Sequence, residues 1–190
     1  GALIVTARHE LRGRDAGSPI TQRQTWTFLP TGDVLIDEDV RIPAAFPDLP
    51  RVGVTFTLPA GHDRLLWYGC GPHESYPDRR RGAAIGRWHG RVTDEYIPYV
   101  MPQEHGGHAD TRWFVLAGTA GPGVLVTADA PFQLNASHYT PEDLTVATHA
   151  EELVPREEVV VHLDHRHRGL GTLSCGPVTL AEYRIGPGRY

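Results

Sequence analysis

Arg51-Val52-Gly53-Val54-Thr55-Phe56-Thr57-Leu58 alternates without a break. Successive side chains of a strand point to opposite faces, so Val52, Val54, Phe56 and Leu58 share one side. A period of two with one apolar side predicts a strand lying half in a core. Upstream, Pro43 to Pro50 is a Pro-rich connection. Before it, Ile20 to Leu29 and Val34 to Ile42 flank Pro30-Thr31-Gly32-Asp33, which predicts a hairpin. Leu3-Ile4-Val5-Thr6-Ala7 is a further short run rich in β-branched residues.

Downstream, the same reading predicts strands over Asp63 to Cys70 and Tyr96 to Met101. Thr111 to Leu116 and Gly123 to Ala128 form a second hairpin around Gly118 to Gly121. Phe132 to Ser137, Val159 to Leu163 and Val178 to Ile185 complete the set. One short helix is predicted at Pro141. Thr140 is placed to cap the first turn, Pro141 suits the first helical position, and Glu142 and Asp143 suit the positive end. Many strands with one helix predict an all-β fold, a large antiparallel β-sandwich.

The chain has 190 residues, enough for one domain with a real core. A net charge of -5 argues against a duplex nucleic-acid binder, which needs a basic face. No apolar run approaches the roughly 20 residues that span a bilayer. The expected chain is therefore free of nucleic acid and membrane, and Gly1-Ala2-Leu3-Ile4-Val5 lacks the pattern of a signal peptide. Cys70 and Cys175 allow at most one bridge, so a reducing, cytoplasmic compartment is expected. With 21 Gly and 16 Pro, short elements and many turns are favoured over long helices.

Candidate chemistry is densest in Trp67-Tyr68-Gly69-Cys70-Gly71-Pro72-His73-Glu74-Ser75-Tyr76-Pro77-Asp78-Arg79-Arg80-Arg81. Gly69 and Gly71 allow backbone angles that other residues avoid. The charged groups predict an ion pair of Glu74 or Asp78 with an Arg; a binding loop is the other reading. The second cluster runs from Tyr96 to Trp113 and carries Pro102, Glu104, His105 and His108. A retaining glycosidase needs two carboxyl groups about 5–5.5 Å apart, and Glu74 and Glu104 are the pair set in such loops. Two spacings, His105-x2-His108-x-Asp110 and His162-x2-His165-x-His167, resemble metal ligands, but neither has a partner Cys pair or an HExxH helix. The Gly-rich tail from Arg168 to Pro177 lacks a Gly-Lys-Ser/Thr ending, so it is no phosphate loop. Cys175 has no flanking base, since His167 lies eight residues away. Trp67 and Trp113 are expected in the core and Trp88 at the surface.

Four of these stretches, in order, resemble the C-terminal region (the small chain, or fifth domain) of glycoside hydrolase family 2 β-galactosidases. The stretch from Trp67 to Arg79 resembles its W-x-G-x-G-P-x-E-x-Y-x-D-R motif. Tyr99-Val100-Met101-Pro102-Gln103-Glu104-His105-Gly106 with Thr111-Arg112-Trp113 is similar to its Y-x-x-P-x-E-N-G and T/V-R segments. Phe132 to Tyr139 resembles F-x-x-N/S-x-S-x-Y, and Asp164 to Gly171 resembles D-x-x-x-x-G-[LIV]-G.

The resemblance implies a β-supersandwich like that of the galactose mutarotase superfamily. Residues 1–190 are then one sandwich domain, a C-terminal fragment of a much larger enzyme with the upstream part of the domain missing. It implies that both catalytic Glu, and the Mg2+ and Na+ of the full-length parent, belong to other domains, so this chain carries no catalytic residue and no metal. Gly69, Gly71, Pro72, Glu74, Tyr76, Asp78, Arg79, Pro102 and Glu104 are implied as its structural motif. Aligned through Gly169 and Gly171, Cys175 falls at the position of a Trp that stacks on the sugar, with Ser174 and His167 as further substrate contacts. His105 replaces the family's Asn, and His108 is added. Implied partners are the parent's other domains, a galactoside substrate and other copies in a homo-oligomer. A free-standing carbohydrate-binding module using Trp67, Trp88 and Trp113, and an aldose epimerase, are the alternatives.

Overall fold

The structure, a computed structural model, describes residues 1–13, 17–118, 122–172 and 176–190. Over these described residues it is all-β, with two antiparallel sheets and one α-helix. The strands are β1 (Leu3–Leu11), β2 (Ile20–Phe28), β3 (Val34–Ile42), β4 (Arg51–Leu58), β5 (Arg64–Gly71), β6 (Ala84–Arg91), β7 (His108–Ala117), β8 (Val124–Ser137), β9 (Val159–His167) and β10 (Gly188–Arg189). The helix α1 spans Pro141–Val146. A four-stranded sheet has the order β1-β2-β3-β10, and a six-stranded sheet the order β4-β9-β8-β7-β5-β6.

The chain divides into two compact units, residues 1–52 with 184–190, and residues 53–183. The smaller unit holds β1 to β3 and β10. The expected hairpin is there: Phe28 faces Val34, and the register holds to Thr21 opposite Arg41. Its core is small, with Val40, Ile42, Val52 and Ile185 buried and Ile20, Phe46, Leu49 and Tyr190 packed on them.

The larger unit has the main core, built from Leu65 and Trp67 of β5, Phe114 and Leu116 of β7, Phe132, Leu134 and Ala136 of β8, and Val159 and Val161 of β9. Phe56 and Leu58 of β4 pack on it, as the alternation predicts. Glycine is required where β5 meets β7. A Cβ on Gly69 would lie 2.7 Å from Thr111 Cα, so no side chain fits there.

Several expectations need correction. No strand forms over Tyr96 to Met101. A 3-10 turn at Val92–Glu95 precedes it, and Tyr99 N bonds Ile97 O at 2.8 Å instead of a neighbouring strand. Pro98 has no N–H to offer a ladder. Val178 to Ile185 is likewise no strand, because Tyr183 N closes a 3-10 turn on Leu180 O at 3.0 Å. The strand β6 was not expected. Gly123 to Ala128 and Phe132 to Ser137 join into one strand, β8, because the ladder slips between Trp113–Thr127 and Thr111–Phe132. Pro131 sits in that irregular stretch, where its missing N–H costs no ladder bond. The hairpin tip at 119–121 lies outside the described residues. Trp67 is buried, but Trp113 is only half-buried. Trp88 is half-buried rather than at the surface, with its Nε1 donating to Gly69 O at 3.2 Å and its ring against Gly71.

Candidate functional site

The motif residues meet in the larger unit, where the loop after β5 crosses two other segments. The Gly71–Pro72 peptide is cis. Ser75 is buried and bonds three ways: its N–H donates to Gly107 O at 2.7 Å, its Oγ accepts from Ala109 N at 3.0 Å, and its carbonyl accepts from Gln133 Nε2 at 2.8 Å. Buried backbone groups must find partners, and this loop finds them on the start of β7 and the middle of β8.

Glu74 accepts from Gly106 N at 2.8 Å and from the Tyr99 hydroxyl. Tyr76 is wholly buried. Its hydroxyl accepts from Gly107 N at 3.1 Å and donates to Glu104 Oε1 at 3.4 Å. Burial, then the carboxylates of Glu104 and Glu74, push the Tyr76 phenol well above its ordinary value. Burial and the bond to Glu74 push Tyr99 up to about 12. His167, at the end of β9, lies with Nε2 3.7 Å from Glu104 Oε1 and its ring 5.3 Å from that of Tyr76. Tyr76, Glu104 and His167 thus come together from three separate segments. Pro102 is buried two residues before Glu104.

Asp78 reaches across to the turn after β9. Its carboxylate accepts from Leu170 N at 3.0 Å and Gly171 N at 2.7 Å, while Arg79 donates to Gly171 O. Gly171 has φ of +69°, which favours glycine, and Thr179 Oγ1 donates to Gly169 O at 2.7 Å. The clamp ends just before Ser174 and Cys175, which lie outside the described residues. The Arg partner expected for Glu74 or Asp78 is not what these carboxylates hold. Backbone amides and a phenol take their place, and the ion pair that forms is Arg80 with Asp110, at 2.9 Å.

The histidines part company. His108 is buried, stacks on Trp67 with ring centroids 4.1 Å apart and has Nε2 3.0 Å from Glu95 Oε2. His105 has Nδ1 2.9 Å from Gln103 O and its ring edge-on to Tyr96. His162 Nδ1 lies 2.9 Å from Thr55 Oγ1, and His165 is exposed. Among the described residues no three His, Cys, Asp or Glu side chains gather into a metal site. Sequence reasoning assigned no role to Ser75, Glu95, Gln133 or Asn135, whose Nδ2 donates to His105 O. The signal available was polar Gln133 and Asn135 set between apolar Phe132, Leu134 and Ala136. A separate pocket of about 410 Å³ is lined by Asp63, Thr93, Tyr96, His138 and Tyr139, among others.

Fold and loops define an all-β protein in which acidic groups of the motif tie distant turns together. The chain belongs to the β-galactosidase small-chain family, whose description, Beta galactosidase small chain, it matches over residues 3–190. It is 34% identical over 147 residues to a β-galactosidase of Priestia megaterium, covering 77% of this chain and 14% of that protein. A β-galactosidase of Staphylococcus xylosus is 33% identical over 161 residues (85% of this chain, 16% of that one). One from Vibrio cholerae is 35% identical over 151 residues (78% and 14%). The chain therefore spans 14–16% of the length of these relatives.

Proposed function

We propose that this chain is the C-terminal region of a retaining β-galactosidase of glycoside hydrolase family 2, a single mutarotase-like sandwich domain that walls the cleft and supports assembly. The observation that carries this reading is the family match across residues 3–190, set against relatives more than five times as long as this chain. Hydrolysis of terminal β-D-galactosides with retention takes two carboxyl groups, one attacking the sugar carbon and one acting as acid then base. In this reading both come from the rest of the parent. Glu74, Asp78 and Glu104 are scaffold groups here. For Glu74 and Asp78 the geometry supports that role, since their oxygens accept from amides 2.7–3.0 Å away, and Glu104 accepts from the Tyr76 hydroxyl at 3.4 Å.

The contribution to substrate runs through the turn that Asp78 and Arg79 clamp. Cys175 and Ser174 follow it, and His167 precedes it. Cys at 175 offers no aromatic face, so stacking on the galactose ring falls to another part of the parent. In this reading the Mg2+ and Na+ of the parent belong to its other domains. The parent is proposed to act in the cytoplasm, on a galactoside, as a homo-oligomer. No described helix is long and apolar enough to cross a membrane.

The test compares the full-length parent with residues 1–190 alone, using a chromogenic β-galactoside. Turnover by the parent and none by the isolated chain is the expected result. Turnover by the isolated chain, lost in Glu104→Gln, overturns the scaffold role. Galactose binding by an isolated, inactive chain favours a free-standing binding module.

A further inference from the structure

The smaller unit leaves one face of its sheet half covered. Register places Leu3, Phe28 and Val34 in one cross-strand row, and Val5, Trp26 and Ile36 in another, all on the same face. Leu3 is 63% exposed, Val5 47%, Phe28 39%, Val34 45% and Ile36 37%. Trp26 is half-buried, and its ring stacks with that of Phe28 at 6.5 Å. The opposite face carries Thr6, Arg8, Arg23, Thr25, Thr27, Asp37 and Asp39 beside Ile4 and Leu35. In an antiparallel sheet with one face in water, the polar face is the solvated one. Six large apolar side chains in two adjacent rows therefore occupy the side that should be packed.

The same face continues along β3 through Glu38 to Val40 and Ile42. Those last two are buried, under Val52, Ile185 and the side chains around them. The face is thus core-forming at one end and bare at the other. Between the ends, Glu38 takes the amides of Gln22 and Gln24, so its carboxylate already has donors where the face changes from covered to bare. The strand β1 is also an edge. Nine residues long, it presents Leu3, Ile4 and Val5 with no charge or proline among them to discourage pairing.

We infer that the rows Leu3–Phe28–Val34 and Val5–Trp26–Ile36 are an interface, covered by an apolar β-layer from the remainder of the same parent polypeptide. This rests on the reading that the chain is part of a longer β-galactosidase. The relatives supply the length, since 84–86% of each lies outside the matched region (100 less 16 or 14). A cover within one polypeptide is present at every protein concentration, unlike a second copy.

Thiol accessibility in the full-length parent tests the assignment. Val5→Cys and Ile36→Cys are placed in the patch and Thr31→Cys in the exposed turn between β2 and β3, one per variant. Each is labelled with a maleimide and read site by site by peptide mass spectrometry. The expected result is labelling at positions 5 and 36 at least 100-fold slower than at 31, unchanged over a 100-fold dilution. Labelling at the rate of position 31 overturns the interface. Protection that fades on dilution also overturns it, because the cover is then a second copy. β-Galactoside turnover by the same preparations separates the two readings. An active parent with fast labelling sinks only the interface, and an inactive parent with protected thiols sinks only the assigned activity.

Discussion

Replacing Asp78 with alanine removes the acceptor for two backbone amides at once, Leu170 N at 3.0 Å and Gly171 N at 2.7 Å. A hydrogen bond to a charged acceptor contributes about 1.5–3 kcal/mol net, and a donor left unpaired in a buried place costs a similar amount. Both residues are half-buried, so water replaces part of the loss and the lower figure applies to each. Together they give about 3 kcal/mol. The loss should be local. Arg79 still holds Gly171 O, and Thr179 still holds Gly169 O, but neither replaces an acceptor for the two amides. Hydrogen exchange in the full-length parent reads this directly, because each tenfold in exchange corresponds to about 1.4 kcal/mol of opening free energy. A peptide covering 168–172 is expected to exchange about 100-fold faster in Asp78→Ala, and about tenfold faster in Asp78→Asn, which keeps one carbonyl acceptor. Peptides from the centre of β8 should not change. Exchange at 168–172 within threefold of the unmodified protein would refute the clamp. A uniform rise that includes β8 would refute its locality.

Two further outcomes follow from the same geometry. Tyr76 is held well above its ordinary value of 10.0, and Tyr99 is held up to about 12, by burial and the neighbouring carboxylates. Their raised values mean the unfolded chain gives up these protons first, so the stabilisation is full below pH 10 and is lost as pH rises beyond it. The double variant Tyr76→Phe, Tyr99→Phe should flatten the fall in urea midpoint between pH 9 and 11.5; an equally steep fall counts against these phenols. Gly69→Ala puts a methyl 2.7 Å from Thr111 Cα and 2.8 Å from its Oγ1, so the β5–β7 ladder must part. Overpacking of this kind costs about 1–3 kcal/mol, and an unchanged urea midpoint would show that the strands yield freely.

Elements with a clean period or a local cap were legible. The strand β4 falls on its alternating octapeptide, and β2 with β3 on the runs flanking Gly32. The helix begins where Thr140 and Pro141 place it. Thr140 Oγ1 accepts from Asp143 N at 3.1 Å, and the Asp143 carboxylate accepts from Thr140 N at 2.8 Å. The errors arose where composition imitates a strand but the hydrogen bonds go elsewhere. Tyr96 to Met101 is aromatic and apolar, yet Pro98 and a bond closed within three residues keep it out of any ladder. Strand β6 was hidden for the opposite reason. Gly86, His89 and Gly90 give it no apolar period, and its pairing with β5 across all eight residues supplies what its composition lacks.

The site was legible as a set of residue types and illegible as a set of partners. Glu74 and Asp78 stand beside Arg79, Arg80 and Arg81 in sequence, so ion pairing is the natural expectation. The structure assigns their oxygens to groups 25–93 positions away. The physical reason is the greater need of the backbone. An exposed guanidinium is well solvated without a carboxylate, and a surface ion pair contributes little. An amide at the inside of a crossing turn has less water to fall back on and gains more from a charged acceptor. Where three turns meet, the acidic groups are therefore drawn to the amides, and the neighbouring arginines turn to a carbonyl or to Asp110 instead. That preference follows from the contacts alone. It holds whether or not a sugar ever lies against the turn that Asp78 grips.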